Sequence, residues 1–364
     1  MRMYKMGEAQ LKLCMNGEKP IITNGYSFST RYRGSKKKIV NWIWDQIKDL
    51  DFDTFLDAMG GTGSVAYKAK QEGKQVTYND VLKYNHIIGL ALIENRNVTL
   101  DEDDVDFILK KHKNFHYSTF IKDTFKDIYF TDEENEWLDI VIENINHLDN
   151  SFKKALALHC LFQSCISKRP YNLFHRKNLY VRTSDVKRSF GNKATWDKPF
   201  PTHFKEMVKE ANKCVYSNGH NGKSINYDVF EIPGEYDLVY IDTPYIPVKG
   251  EIIDYRDAYH FLEGLVNYKK WASMIDHSRK HLPLKKEYCV WNDKKEIKNA
   301  FEKLIRKFKD SKIVISYRKD GIPSEKEIYD ILKKYKTNVK EVKAKDFKYV
   351  LSKQDTQELL FIGF

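Results

Sequence analysis

Between Phe52 and Asp80 the chain carries a series that few folds accommodate. Phe52 to Ala58 alternates and then runs apolar, as a buried strand does, and Gly60-Gly61-Thr62-Gly63 follows it. Ser64-Val65-Ala66-Tyr67-Lys68-Ala69 is helical in character, and Gln75 to Asn79 reads as a second strand that ends in Asp80. Strand, glycine turn, helix, strand and acid in that order open a doubly wound α/β sheet. Glycines at such a turn let the backbone approach a nucleoside. A carboxylate about 20 residues further on stands where these folds hold a ribose hydroxyl.

The second motif is Asp242-Thr243-Pro244-Tyr245, which closes the apolar run Asp237-Leu238-Val239-Tyr240-Ile241. A strand that ends in a carboxylate, a proline-stiffened turn and an aromatic ring offers an N–H acceptor beside a flat face. An exocyclic base amine requires both. Its lone pair is delocalised into the ring, so acceptors such as Asp242 and the Thr243 carbonyl are needed to draw the nitrogen toward a tetrahedral geometry. Stacking of an extruded base on Tyr245 is worth roughly 1–3 kcal/mol. Taken alone, the tetrapeptide reads as readily as a polar strand end followed by a turn; the glycine turn upstream gives it weight.

Arg31-Tyr32-Arg33-Gly34-Ser35-Lys36, Phe55 to Gly63, Asn79-Asp80 and Asp242-Thr243-Pro244-Tyr245 resemble, in that order, the motifs of the Dam-like N6-adenine DNA methyltransferases in their alpha arrangement. The resemblance implies a class I S-adenosylmethionine-dependent methyltransferase fold, Rossmann-like with a mostly parallel sheet, carrying an inserted target-recognition domain. It implies S-adenosyl-L-methionine as cofactor, contacted by Tyr32 and Lys36, by Asp57, Gly61 and Gly63 on the methionine side, and by Asp80 at the ribose. Asp228 matches the acid near the cofactor adenine, with Val229 or Phe230 as its apolar wall. Asp242 matches the catalytic acid, beside the cofactor, in a catalytic unit completed by Thr243, Pro244 and Tyr245. Trp291-Asn292-Asp293 resembles a later motif beside the target pocket. Thr243 and Met59 depart from the family's usual proline and phenylalanine, and neither change removes a reacting group. Ile315 to Arg318 and Glu358 to Phe364 look like the family's last two strands.

Composition fits this picture without deciding it. The 62 basic and 51 acidic residues leave a formal charge of +11, which suits a polyanion and equally an indifferent basic surface. The cysteines at 14, 160, 165, 214 and 289 include no CxxC pair, and none follows a proline. A cytosine C5 methyltransferase needs a cysteine nucleophile, so direct transfer to an amine is expected instead. The histidines are not spaced as metal ligands, and no metal is expected. No apolar stretch reaches about 18 residues and no signal peptide opens the chain, so a cytoplasmic protein with reduced thiols is expected.

Three regions are expected: a cofactor-binding half over 1–96, an inserted helical and loop region over 97–225, and a catalytic half over 226–364. The residues from 37 to 50 form an amphipathic helix at the cofactor end. Further strands are predicted at Glu287 to Trp291, Lys312 to Tyr317 and Glu358 to Phe364, and helices at Glu263 to His281, Lys294 to Phe308 and Ser324 to Tyr335. The segment Ile246 to Tyr259 is a candidate loop for ordering over the base. Within the insertion, basic residues alternate with asparagines and aromatics, a pattern suited to gripping phosphates and reading base edges. Lys168, Arg169, Asn172, His175, Arg176, Asn178, Arg182, Arg188 and Asn192 are the expected contacts to double-stranded DNA. A solvated basic loop over a core of Tyr171, Phe174 and Tyr180 is the competing interpretation. The expectation is a site-specific adenine methyltransferase acting as a monomer or weak dimer, with a companion restriction endonuclease acting separately by family habit. N4-cytosine methylation, RNA adenine methylation and an inactive DNA-binding module are the alternatives.

Overall fold

The structure is a computed structural model that describes residues 32, 34–186, 193–343 and 357–364. Its strands are β1 (Thr54–Asp57), β2 (Gln75–Asn79), β3 (Lys223–Ile225), β4 (Leu238–Ile241), β5 (Ile246–Pro247), β6 (Lys312–Arg318), β7 (Gly321–Ile322), β8 (Val339–Lys343) and β9 (Glu358–Gly363). Seven of them form one sheet in the order β3-β2-β1-β4-β6-β9-β8. The first five are parallel, and β9 runs antiparallel between β6 and β8. This is the mostly parallel sheet that the resemblance implies.

Strand order reverses at β1, which pairs with β2 on one side and β4 on the other, so that Asp57 lies between Tyr78 and Tyr240. Such a switch point opens a crevice beyond the carboxyl ends of the strands. The fold therefore places its ligand site at the ends of β1, β2 and β4.

Helices cover both faces. A 3-10 turn at Lys36–Lys38 leads into α1 (Val40–Ile47), which buries Ile43, Trp44 and Ile47 as its spacing predicts. Next come α2 (Ser64–Gln71) after the glycine turn and α3 (Lys83–Gly89) after β2, the latter running on as a π turn over Leu90–Glu94. The insertion supplies α4 (Glu102–Leu109), α5 (Phe120–Thr124), α6 (Asp132–Asn146), α7 (Ser151–Ser167), α8 (Tyr180–Thr183), α9 (Lys193–Asp197) and α10 (Phe200–Cys214). Every residue of α7 from Ala155 to Ser167 is buried, because the helix packs on α3 and its π turn on one side and on α10 on another. One apolar core thus runs from Phe55 and Tyr240 of the sheet to Leu156, Leu161 and Phe204 of the insertion.

Three expectations change. Lys223–Ile225, counted with the insertion, is the sheet's edge strand β3 beside β2. Glu287 to Trp291 forms no strand: the chain is irregular there and ends in a 3-10 turn at Val290–Asn292, since β9 already occupies the edge of β6. α11 (Tyr255–Ala258) comes first, and the long helix expected from Glu263 to His281 is instead the end of α12 (His260–Val266), a 3-10 turn at Tyr268–Lys270 and α13 (Trp271–Met274). Gly264 of α12 takes the Trp271 ring of α13. Trp271 packs so tightly over it that a Cβ there would come 1.9 Å from the indole. The remaining helices, α14 (Ile297–Lys307) and α15 (Glu325–Tyr335), fall where predicted. No helix of the described residues is long and apolar enough to cross a membrane.

Candidate active site

A cavity of about 750 Å³ occupies the crevice at the carboxyl ends of the strands. The glycine turn and Asp80 line one part of it, Asp242 to Tyr245 another, and Tyr227 to Phe230 with Val290 to Asn292 a third. Segments 180 residues apart in sequence meet because β1, β2 and β4 are neighbours in register.

The glycine turn is held from several sides. Gly61 and Gly63 have left-handed backbone, with φ of 51° and 72°. Gly60 is in contact with the Tyr78 ring, and the Tyr78 hydroxyl donates to the Gly61 carbonyl at 2.7 Å. Gly63, as N-cap of α2, has no side chain to cap with. Asp57 does so instead from the end of β1, its Oδ2 accepting the Ala66 N–H at 3.1 Å. Asp57 Oδ1 is buried and has no hydrogen-bond partner among the described residues. Burial, and then the nearby Asp242 charge, hold its carboxyl well above the ordinary range.

Asp80 ties the turn to α3. Its Oδ2 accepts the Gly61 N–H at 2.9 Å and the Asn85 amide at 3.1 Å, and its Oδ1 accepts the Leu82 N–H at 2.8 Å. Burial nevertheless raises its pKa to about 6. Glu263, which the sequence reading did not single out, accepts the N–H groups of Lys83 and Tyr84 at 3.3 and 3.1 Å and so caps α3 from the cavity wall. A glutamate at the start of a predicted helix was the only signal for it.

Tyr32 stacks on Tyr259 with ring centroids 4.3 Å apart and on Tyr255 at 5.7 Å. Ser35 lies 3.3 Å from both Thr62 and Ser64 through its hydroxyl, which fastens this segment to the glycine turn. Lys36 is buried, and its Nζ donates to Asp242 Oδ1 at 2.8 Å. The same ammonium lies 3.3 Å from Glu358 Oε1, a second acid absent from the predicted site. Burial raises the Asp242 carboxyl to about 6, against the pull of Lys36 and with a push from Glu358.

The tetrapeptide is fixed from behind. Thr243 is buried, and β5, immediately after Tyr245, pairs antiparallel with β7. Part of the candidate base-covering segment is therefore a clamped ribbon, and Tyr255–Ala258 is α11; only the stretch between them is irregular. The guanidinium of Arg318, at the end of β6, lies 5.4 Å from the Tyr245 ring centroid. Across the cavity Phe230 stacks on Trp291 at 5.9 Å, with the Lys303 ammonium 4.3 Å from the Phe230 ring. Asp228 is exposed, its Oδ1 accepting the Phe230 N–H at 2.9 Å.

The expected DNA contacts divide sharply. Lys168, Arg169, Asn178 and Arg182 are buried and serve the interior, which corrects their assignment. Lys168 Nζ pairs with Glu134 at 2.9 Å and donates to the carbonyls of Trp196 and Lys198. Arg182 grips both oxygens of Glu134 at 2.7 and 2.9 Å. Arg169 donates to the carbonyls of Tyr129 and Leu173 and to the Asn178 side chain. Buried charges require such partners, and Glu134 on α6 provides one. Arg176 is exposed, and Asn172 and His175 are partly so. Tyr171 and Asn172 both have left-handed backbone, and the Tyr171 ring is turned out to 54% exposure. Arg188 and Asn192 lie outside the described residues.

Residues 32–345 match the model of the D12 class N6 adenine-specific DNA methyltransferases. The chain belongs to that family. It is an adenine-specific DNA methyltransferase. It is 31% identical to the type II methyltransferase M2.HphI of Haemophilus parahaemolyticus, over 91% of this chain and 96% of that protein. It is 25% identical to the type II methyltransferase M.CviAII of Paramecium bursaria Chlorella virus 1, over 92% and 98%. The type II methyltransferase M.FokI of Planomicrobium okeanokoites is 26% identical, and there the match takes in 84% of this chain but 47% of that protein.

Proposed function

We propose that this methyltransferase modifies the N6 amine of an adenine flipped from duplex DNA, with S-adenosylmethionine as donor, at a site defended by a restriction-modification system. The observation that carries the proposal is the continuity of one cavity from the glycine turn to Asp242 and Tyr245. The residues present suit the donor. A Cβ at Gly61 would meet nothing within 4 Å, so the turn faces open space, and Asp57, whose Oδ1 has no partner among the described residues, lines the same cavity. Tyr32, Lys36, Asp57, Gly61, Gly63, Asp80 and Asp228 would hold it, and their carboxylates suit a cationic molecule. When bound, the donor supplies an electrophilic methyl group on a sulfonium.

The protein's own part is positioning and electrostatics. Lys36 engages Oδ1 of Asp242, which leaves Oδ2 to accept one hydrogen of the amine, and the Thr243 carbonyl accepts the other. Tyr245 stacks on the base and offsets part of the few kcal/mol lost on flipping. The amine proton passes to the Asp242 carboxylate and from there to water. Asn172, His175 and Arg176, with the neighbouring exposed Lys177, would meet the DNA.

Incubation with labelled S-adenosylmethionine and unmethylated genomic DNA, followed by nucleoside mass analysis and sequencing of modified positions, tests this. N6-methyladenine confined to one short motif is the expected product. N4-methylcytosine, or no methyl transfer by a folded protein, would overturn it.

A further inference from the structure

Glu358 opens β9, is 1% exposed, and touches Lys36 without lining the cavity that Lys36 lines. Its Oε1 accepts the Ser316 hydroxyl at 2.5 Å and lies 3.3 Å from the Lys36 ammonium, whose shorter contact is to Asp242 at 2.8 Å. One ammonium thus bridges two carboxylates, one buried at the back of the site and one at the cavity. β6 and β9, which carry Ser316 and Glu358, pair over six residues, so this back anchor is built into the sheet.

The geometry points to Glu358 as a positioning residue that divides the Lys36 charge and so keeps Asp242 a strong, singly engaged acceptor for the substrate amine. This rests on the assignment of Asp242 as that acceptor. A cation shared with a second carboxylate favours the ionised form of the first by less, which leaves that acid the stronger acceptor. Glu358, 3.3 Å from the Lys36 ammonium, takes that share. Its charge also works on Asp242 directly, since like charges oppose each other's ionisation. The titratable groups around Asp242 are Lys36 from the N-terminal segment, Asp57 from β1, Tyr240 from β4, Tyr255 from α11 and Glu358 from β9. Among them Lys36 favours the charged carboxylate, while burial and Glu358 oppose it.

The test is single-turnover methyl transfer to adenine-containing duplex DNA across the acid limb of the pH profile. It compares the full chain with Glu358→Gln, Ser316→Ala and Asp242→Ala. Loss of the Glu358 charge lowers the Asp242 pKa, so Glu358→Gln moves the acid limb down by about half a pH unit or more. Its plateau rate falls because Lys36 now occupies Asp242. Ser316→Ala removes the donor that supports the Glu358 anion and moves the limb the same way by less. A purely structural role would lower the rate at every pH and leave the limb in place. An unmoved limb in Glu358→Gln overturns the proposal; if that variant does not fold, an unmoved limb in Ser316→Ala does so. Wild-type rates in Asp242→Ala would instead sink the acceptor assignment itself, and with it the role given to Glu358.

Discussion

The guanidinium of Arg318 lies over the ring of Tyr245, 5.4 Å from its centroid, and is itself held by Asp320, whose Oδ2 accepts from Nη2 at 2.7 Å. Asp320 ends the turn into β7, the strand that pairs with β5 directly after Tyr245. The ring proposed to stack on the target base is thus located by its own strand and by a cation from the neighbouring one.

Arg318→Ala therefore loosens base capture while leaving cofactor binding intact. A cation–π contact of about 0.5–2 kcal/mol corresponds to roughly a 2- to 30-fold loss. Fluorescence of 2-aminopurine placed at the target position reads the flipped population, and a signal equal to wild type would show that Arg318 does not position Tyr245.

Asp242→Ala is expected to lower the single-turnover rate by roughly 10²–10³, the scale for losing one preorganised polar group aimed at the reacting centre. Cofactor affinity, measured by calorimetry, should fall far less. A rate within a few-fold of wild type would remove Asp242 from the chemistry.

The pH dependence follows from the burial of the same acid. Its pKa is raised to about 6, so it is increasingly protonated below that value and cannot accept from the amine. kcat/KM, which reports the free enzyme, should fall as pH drops through about 6. A profile flat down to about pH 5 would contradict this assignment.

The basic segment separates two kinds of residue experimentally. Arg169→Met strips the donor from the buried Leu173 carbonyl, at a cost of about 1–3 kcal/mol, and should lower the melting temperature, while the Tyr129 carbonyl keeps Arg182 as donor. Arg176→Ala should leave the melting temperature alone and reduce the salt slope of DNA binding by about 1. The reverse pattern would return Arg169 to the DNA surface.

Gly60→Ala tests the packing of the glycine turn. A Cβ there would come 2.0 Å from Cε2 of Tyr78, a buried ring, and overpacking of this kind costs about 1–3 kcal/mol. Thermal denaturation should show the loss, and an unchanged midpoint would mean that the Tyr78 ring yields freely.

The opening strands of the sheet and the glycine turn between them were legible because their signals are local. The run to Asp57, the glycines after it and the acid at Asp80 each follow directly from their neighbours in sequence. The tetrapeptide was legible for the same reason. Glu358 was not, because its role depends on β9 lying against β6 and on Lys36 arriving from the far end of the chain. Lys168 and Arg182 misled for a related reason: their partner, Glu134, sits on α6, and composition alone cannot tell a buried, paired cation from an exposed one. The Glu287 to Trp291 segment had strand-like residues, but both sides of β6 are taken, by β4 and β9, a fact only the whole sheet supplies.

The sharing of α7 between the insertion and the sheet bears on how this enzyme changes its target sequence. A recognition module joined by a tether can be exchanged between relatives as a cassette. Here such an exchange would cut through a helix buried from Ala155 to Ser167 and packed against α3, the helix whose start is tied by Asp80 to the glycine turn. If the exposed loops around Tyr171 and Arg176 meet the DNA as proposed, they are where substitutions could alter specificity and leave the common core undisturbed.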